Sequence, residues 1–404
     1  MSFLKKEQII NSLDIGTSFI RLITAKRRED KKLQIIGVGQ TASNGLRKGV
    51  VIDIEETVRA INIAKDITER TTGIPIEKAY VNLSGSHISA HSSKGTIAVS
   101  RADGEVSKED VERAISAAQA ISLPSNREIL QVIPRTFSID GQNNIKYPVG
   151  MNGVRLEVDV LILEVSTPIL KNLTKCVNQA GINILKFILS PLAASQAVLS
   201  KRQKELGVVL VDLGAGTTSI AVFEEGNILH LSVLPIGGAY ITNDLAIGLK
   251  TSIDVAERVK LEYAKKDQID LSKISMEEEG IILKEKIDNI IDARLSEIFT
   301  MVNKELKKID RQKLLPAGVV LVGGGAKMAN IIEMAKEYLA LPVKIGSPTD
   351  FKSVADEVLD PRFATAVGLI LYGLEHEESD NKTRFGNRHN FFNRLIKILR
   401  NLLP

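Results

Sequence analysis

Two short stretches each bring a carboxylate, glycine and small hydroxylated residues within a few positions of one another. The first is Asp14-Ile15-Gly16-Thr17-Ser18 and the second is Asp212-Leu213-Gly214-Ala215-Gly216-Thr217. Backbone amides of such a turn can converge on an anion, and a carboxylate beside a bound anion calls for a cation between the two. Asp14 and Asp212 are therefore placed to hold Mg²⁺ through its water shell. Gly16, Thr17 and Ser18 in one turn, and Gly214, Ala215, Gly216 and Thr217 in the other, would cradle phosphates. A single Asp-x-Gly turn reads equally well as a plain hairpin; two copies in matching settings favour a site. A third turn, Gly323-Gly324-Gly325, follows the apolar run Val319–Val322. Glycine there lets backbone approach a flat ring or a sugar without a Cβ clash, although a loop that only needs positive φ before a helix would look the same.

The elements around these turns repeat. Each Asp-x-Gly turn joins two strands, and each second strand runs through a charged turn (Arg27 to Lys32; Glu224 to Asn227) into a third. One unit written twice predicts two related α/β domains. Between the copies the pattern predicts helix Ile54–Thr72, strand Lys78–Ser84 and a stretch that looks inserted. That stretch holds helix Lys108–Ile121, opened by a Ser107/Asp110 capping box, and strands Glu128–Asp140 and Arg155–Val165. Helix Pro168–Ala180, strand Ile184–Leu189 and helix Leu192–Arg202 lead to the second copy. Beyond it come helices Gly238–Gly248 and Ile253–Lys265, a charged region Lys266–Lys286 and a helix near Ile287–Leu306. Strand Gly318–Val322, helix Asn330–Leu339 and helix Pro361–Leu374 complete the body. Residues Glu375–Asn390 are polar without periodicity and read as a flexible linker.

At 404 residues the chain can hold more than one core. Apolar residues make up 44% and charged residues 25%, an ordinary globular balance, and a net charge of +4 argues against a nucleic-acid binder. The single cysteine, Cys176, excludes an internal disulfide and reads as a small buried residue. No secretion signal and no run long enough for a membrane span is evident. There is no G-x-x-x-x-G-K-[ST] and no strand-anchored G-x-G-x-x-G, so P-loop and dinucleotide readings find no support.

The three glycine turns, in this order and spacing, resemble the phosphate-1, phosphate-2 and adenosine motifs of the superfamily of actin, heat-shock chaperones and sugar kinases. Within it the chain resembles the FtsA family of bacterial cell-division proteins over essentially its whole length. The resemblance is carried by Ser12–Ile23, by Gly37–Asp53 with Gly45-Leu46-Arg47-Lys48-Gly49-Val50-Val51, by Val211–Gly238 and by Gly318–Lys327. It implies an actin-like fold, two related domains around a nucleotide cleft, with an inserted α+β subdomain and a C-terminal amphipathic helix. Residues 1–83, 166–203 and 357–374 would form subdomain 1A and 84–165 the inserted subdomain 1C. Residues 204–236 and 310–356 would form 2A, 237–309 would form 2B, 375–390 a linker and 391–404 the terminal helix. It further implies ATP and Mg²⁺ as ligands, with Asp14 and Asp212 the carboxylates on the metal's waters. Gln196 falls where actin places the glutamine that orients the attacking water. Gly238, Glu257, Lys260 and Lys327 would join the three turns around the nucleotide; Glu257 and Lys260 are also spaced for a plain i,i+3 ion pair.

The tail is a separate object. On a helical wheel Phe391, Phe392, Leu395, Ile396, Ile398, Leu399, Leu402 and Leu403 fall within about 160°, with Arg394, Lys397 and Arg400 opposite. From Asn381 onward there are six Lys/Arg and no acid. This is the pattern of a helix lying in the interface of an anionic membrane, each basic residue adding about 1 kcal/mol; the same stripe could dock on the protein itself. Three readings compete. The first is an ATP-dependent scaffold that polymerises, anchors the tubulin-like FtsZ ring to the cytoplasmic membrane through the ring protein's C-terminal peptide, and helps recruit downstream division membrane proteins at the septum. The second is a pilus-assembly relative, and the third a small-molecule kinase of the same superfamily. The tail favours the first, with slow ATP turnover at most.

Overall fold

A computed structural model describes residues 8–27, 33–262, 268–270, 281–349, 351–353 and 355–383. The first half opens with β1 (Ile9–Ile15), β2 (Phe19–Arg27) and β3 (Leu33–Ala42), an antiparallel meander. A small hairpin, β4 (Leu46–Arg47) and β5 (Val50–Val51), precedes α1 (Ile54–Thr72) and β6 (Lys78–Leu83). From Ile10 onward β1 is buried on both faces, as a central strand must be. It pairs antiparallel with β2 and parallel with β6. Helix α1 starts where the Asp53 carboxylate accepts the Glu56 N–H and stops at Gly73 in the left-handed region, φ 68°.

The inserted segment forms its own layer pair. Strands β7 (Ser89–Ala98), β8 (Arg127–Ile139), β9 (Gln142–Ile145) and β10 (Arg155–Ser166) make a sheet in the order β7-β10-β8-β9, covered by α2 (Lys108–Gln119). Val111, Ala114, Ile115, Phe137, Leu156 and Val158 are in a core separate from that of the first half. The capping box closes as expected, with Ser107 and Asp110 satisfying each other's backbone N–H. Strands β7 and β9 are new relative to the sequence pattern. β7 reads Ser-Ala-His-Ser-Ser-Lys-Gly-Thr-Ile-Ala, too polar to signal a strand, and it is held by its antiparallel ladder with β10.

The chain rejoins the first half through α3 (Thr167–Gln179), β11 (Asn183–Leu189) and α4 (Ser190–Val198). The expected helix Leu192–Arg202 is broken. Leu199 is extended, and Ser200 caps a short α5 (Lys201–Leu206) through Gln203. The Ser-x-x-Gln pattern at Ser200 marks that restart.

The second half repeats the meander as β12 (Val208–Leu213), β13 (Thr218–Glu224) and β14 (Asn227–Leu234). There follow α6 (Gly238–Leu249), α7 (Ile253–Glu262), a small hairpin of β15 (Gln268–Asp270) with β16 (Ile281–Leu283), and α8 (Lys284–Lys307). The stretch expected only as a charged region thus contains that hairpin. Next are β17 (Val319–Val322), α9 (Ile331–Leu339), β18 (Val343–Ile345), β19 (Lys352–Ser353) and α10 (Ala364–Thr383). The two large sheets run β11-β6-β1-β2-β3-β19 and β14-β13-β12-β17-β18. Because β19 pairs with β3, the chain has returned to the first half by Lys352, earlier than the boundary at 357 expected from the sequence. Helix α10 runs on to Thr383, into the stretch read as a linker, because extending a formed helix costs far less than starting one.

Packing follows strand alternation. Val208 and Leu210 of β12 join the core of the first half, whereas Val209, Val211 and Leu213 join a second core under α6, α8 and α9. No helix among the described residues is long and apolar enough to cross a membrane. The tail helix, with Phe391, Phe392, Leu395, Ile396, Lys397, Leu399, Arg400 and Leu402, lies outside the described residues.

Candidate nucleotide-binding cleft

Each Asp-x-Gly turn is closed by one hydrogen bond. Gly16 N–H donates to Phe19 O at 3.0 Å, and Gly214 N–H donates to Thr217 O at 3.0 Å. The start of α6 lies on the second turn: Gly238 N–H donates to Gly214 O at 2.8 Å and Ala239 N–H to Ala215 O at 2.9 Å. This contact needs Gly237, where a Cβ would stand 2.5 Å from Gly214 O. The carbonyls of the turn are thereby taken up. Among the described residues the N–H groups of Thr17, Ser18, Ala215 and Gly216 donate to no protein acceptor. Unpaired donors on two facing turns are what a polyphosphate requires.

The two turns meet. A Cβ on Gly216 would stand 2.7 Å from Thr17 Oγ1, and Ser84 Oγ lies 3.5 Å from Thr217 Oγ1. Behind them the two acids share one electrostatic environment. Burial pushes the Asp14 carboxyl up to about 6, against the pull of Arg21 3.7 Å away, and the charge of Asp212 adds to the rise. Asp212 is also pushed up to about 6 by desolvation, opposed by a hydrogen bond that Thr365 Oγ1 donates at 3.3 Å and by Arg21. Arg21 is the cation whose charge bears on both acids, and one positive charge against two buried carboxyls leaves the pair under-neutralised. A hydrated divalent cation fits this donor set, since Mg²⁺ keeps most of its waters and needs few protein oxygens. Among the described residues no cluster of three or more acids, histidines or cysteines is present that would hold a bare metal ion.

Arg21 was not among the expected site residues. It sits opposite Asp14 in the β1–β2 ladder, where the second copy has Ser219 opposite Asp212. Its Nε donates to Gln40 Oε1 at 2.7 Å, and its guanidinium lies over the rings of Phe19 and Phe363. A basic residue seven positions after the aspartate, across a tight turn, was the available signal.

In the third turn, Gly323 and Gly325 serve packing. A Cβ on Gly323, whose φ is 84°, would stand 2.4 Å from Asp212 Oδ1, and one on Gly325 would stand 2.3 Å from the Leu213 side chain. Gly324 has open space around it and is the one of the three able to face a ligand. Lys327 is committed to Asp360, which also receives Arg362. Glu257 and Lys260 form the i,i+3 pair at 2.5 Å. Both join Thr242: its hydroxyl donates to Glu257 Oε2 at 2.5 Å, and Lys260 Nζ lies 2.8 Å from Thr242 Oγ1 and 3.4 Å from Gly238 O. They stand at the N-terminal end of α6 but spend their charge on one another. Gln196 is half-buried near the end of α4, the helix packed against β12 and β13.

Two halves with the same meander, an Asp-centred turn from each meeting over a buried acid pair, and a glycine turn beside the second acid define an actin-like protein. Solved structures agree on the fold. A PilM-PilN type IV pilus biogenesis complex matches with a TM-score of 0.68 at 17% identity, covering 90% of this chain and 98% of that one. MreB 5 of Spiroplasma citri bound to AMPPNP matches with a TM-score of 0.52 at 16% identity, covering 94% and 98%. The family follows from sequence relatives. Cell division protein FtsA of Bacillus subtilis is 41% identical over 377 residues, covering 91% of this chain and 84% of that protein. FtsA of Pseudomonas aeruginosa is 37% identical over 389 residues, covering 93% and 92%. The family model for cell division protein FtsA matches residues 209–368, and that for the SHS2 domain inserted in FtsA matches residues 85–164. The chain belongs to the FtsA family of cell division proteins.

Proposed function

We propose that this chain binds ATP with Mg²⁺ between its two halves, polymerises, and anchors a tubulin-like FtsZ filament to the cytoplasmic membrane through residues 391–404. The reading is carried by the convergence of the two Asp-centred turns, with unpaired N–H groups in front and the Asp14–Asp212 pair behind. Asp14 and Asp212 would hold the cation's waters, and the cation would neutralise phosphate charge. Gly16–Ser18 and Gly214–Thr217 would grip the phosphates, and open Gly324 would admit the nucleoside. Positioning and charge neutralisation dominate phosphoryl transfer. Gln196 is the one candidate for orienting water, and turnover is expected to be slow at most. A nucleotide-bound MreB among the structures that share the fold supports the choice of ligand.

Calorimetry with Mg·ATP tests the cleft. Asp212→Ala should weaken binding far more than it changes the melting temperature; equal affinity for wild type and variant would refute the assignment. Polymerisation should be head-to-tail, with the inserted domain supplying one longitudinal face, and deleting residues 84–165 without loss of filaments would count against it. Burying half of the tail's apolar side chains is worth several kcal/mol at roughly 25 cal/mol per Å², so one tail binds reversibly and a filament binds with avidity. Removing residues 391–404, or changing Leu395 and Leu399 to Glu, should release the chain from anionic vesicles with ATP binding intact. Co-sedimentation of the truncated chain as efficient as wild type would overturn the anchor.

A further inference from the structure

The β4–β5 hairpin has no part in the site so far, yet it lies against both phosphate turns. Its two-residue turn is Lys48-Gly49, with φ of 52° and 76°. Gly49 N–H donates to Thr17 Oγ1 of the first phosphate turn at 3.1 Å. A Cβ on Gly216 of the second phosphate turn would stand 3.0 Å from the Lys48 nitrogen, and one on Gly49 would stand 3.0 Å from Ser84 and Gly85. From this position the Lys48 side chain crosses to the opposite half, where Nζ lies 5.4 Å from the centre of the Tyr240 ring on α6. Turns of this kind favour Asn-Gly, because both central residues need positive φ. A lysine in the first position costs the turn some stability.

Charge gives the lysine a purpose. A nucleoside triphosphate carries more negative charge than one divalent cation removes. The cationic side chains nearby are committed elsewhere: Lys260 to Glu257, Lys327 to Asp360, and Arg21 to Asp14 and Gln40. Lys48 has no carboxylate partner among the described residues. A cation resting on an aromatic face gives up little when it leaves for a phosphate, since the aromatic contact is worth about 0.5–2 kcal/mol, and a charge-assisted hydrogen bond to phosphate is stronger.

We propose that the β4–β5 hairpin is a strap across the phosphate end of the cleft, and that the Lys48 ammonium binds the terminal phosphate of a nucleoside triphosphate. The inference rests on the reading of the cleft as a nucleotide site and adds to it a group that tells triphosphate from diphosphate. The full chain with Mg²⁺ is titrated calorimetrically with ATP, ADP and adenosine, as wild type and as Lys48→Asn, Lys48→Arg and Tyr240→Phe. Asparagine suits the turn, so its loss of charge is read without loss of fold. Lys48→Asn should bind ATP about ten- to a hundredfold more weakly, ADP with a clearly smaller loss, and adenosine unchanged. Lys48→Arg should stay within about threefold of wild type, and Tyr240→Phe, which keeps the ring face, should match it. If Lys48→Asn binds ATP as wild type does, the phosphate role is wrong while the cleft stands. Equal losses for ATP and adenosine would make the hairpin a structural support and overturn the role as well. Wild type binding none of the three ligands would remove the cleft reading and this one together.

Discussion

Gly216→Ala tests whether the two phosphate turns come together as described. The added Cβ would stand 2.7 Å from Thr17 Oγ1, 2.9 Å from Thr17 Cγ2 and 3.0 Å from the Lys48 nitrogen. Carbon atoms settle at about 3.5–4.0 Å, so the Cγ2 contact alone asks for a gap of more than about half an ångström. Rotating Thr17 does not supply it, because both branches of its stiff side chain face the glycine. The φ of Gly216 lies outside the left-handed region, so alanine meets no backbone strain and the effect is steric. Crowding of this kind costs about 1–3 kcal/mol. It falls between the halves, where the phosphates would bind, and should appear as ATP affinity lowered roughly five- to 150-fold. The β1–β2 and β12–β13 ladders are untouched, and the melting temperature should move by only a few degrees. Thr17→Ser in the same chain removes Cγ2 and should recover part of the affinity, a coupling that a double-mutant cycle measures. Calorimetry with Mg·ATP reads all four proteins. Gly216→Ala binding within twofold of wild type would show that the turns stand apart when nucleotide is bound.

Two further outcomes follow from charge networks outside the cleft. Glu305 accepts from His230 at 2.8 Å and from Lys308 at 2.6 Å, which holds its carboxyl down to about 2 from the usual 4.5. A folded value below the unfolded one stabilises fully above pH about 4.5, and the gain is lost as pH falls toward 2. In urea unfolding wild type should therefore lose about 2–3 kcal/mol more than Glu305→Gln between pH 5 and pH 2. Arg135 ties the inserted domain to the second half, donating to Asp159 at 2.7 Å, Ser92 at 2.6 Å and Leu229 O at 3.2 Å. Arg135→Ala should cost about 1–3 kcal/mol in thermal unfolding and speed amide exchange around Leu229, leaving exchange at Phe137 in the insert's own core unchanged.

The repeated meander was legible because its signal is local: apolar strands on either side of an Asp-x-Gly turn. The helix break at Leu199–Ser200 was also written locally, in a Ser-x-x-Gln cap, but the apolar run before it masked the restart. β7 could not be read, since its polar residues become a strand only through the ladder with β10. The early return at β19 depends on a two-residue pairing with Gln34 and Ile35, a contact far along the chain. The site divides the same way. Asp14, Asp212 and the turn glycines follow from residue type and spacing. The pairing of Lys327 with Asp360 and of Glu257 with Lys260 depends on which side chains the fold brings together, so lysines that look available in sequence are already engaged. Arg21 and Lys48 stand at the cleft for the opposite reason, because strand register and a tight turn carry them there.

The inserted domain begins and ends at neighbouring points. Ser89 at the start of β7 lies opposite Glu164 near the end of β10, and Arg127 bonds to both while also reaching the His87 carbonyl. A unit whose two chain ends emerge side by side from its host is a cassette. Its strands stand outside the order of the host sheet, so another unit with ends at the same spacing could replace it if it also covered the first-half core as Ile133, Leu161 and Leu163 do. A plan of this kind lets one inserted unit be traded for another by a single genetic replacement.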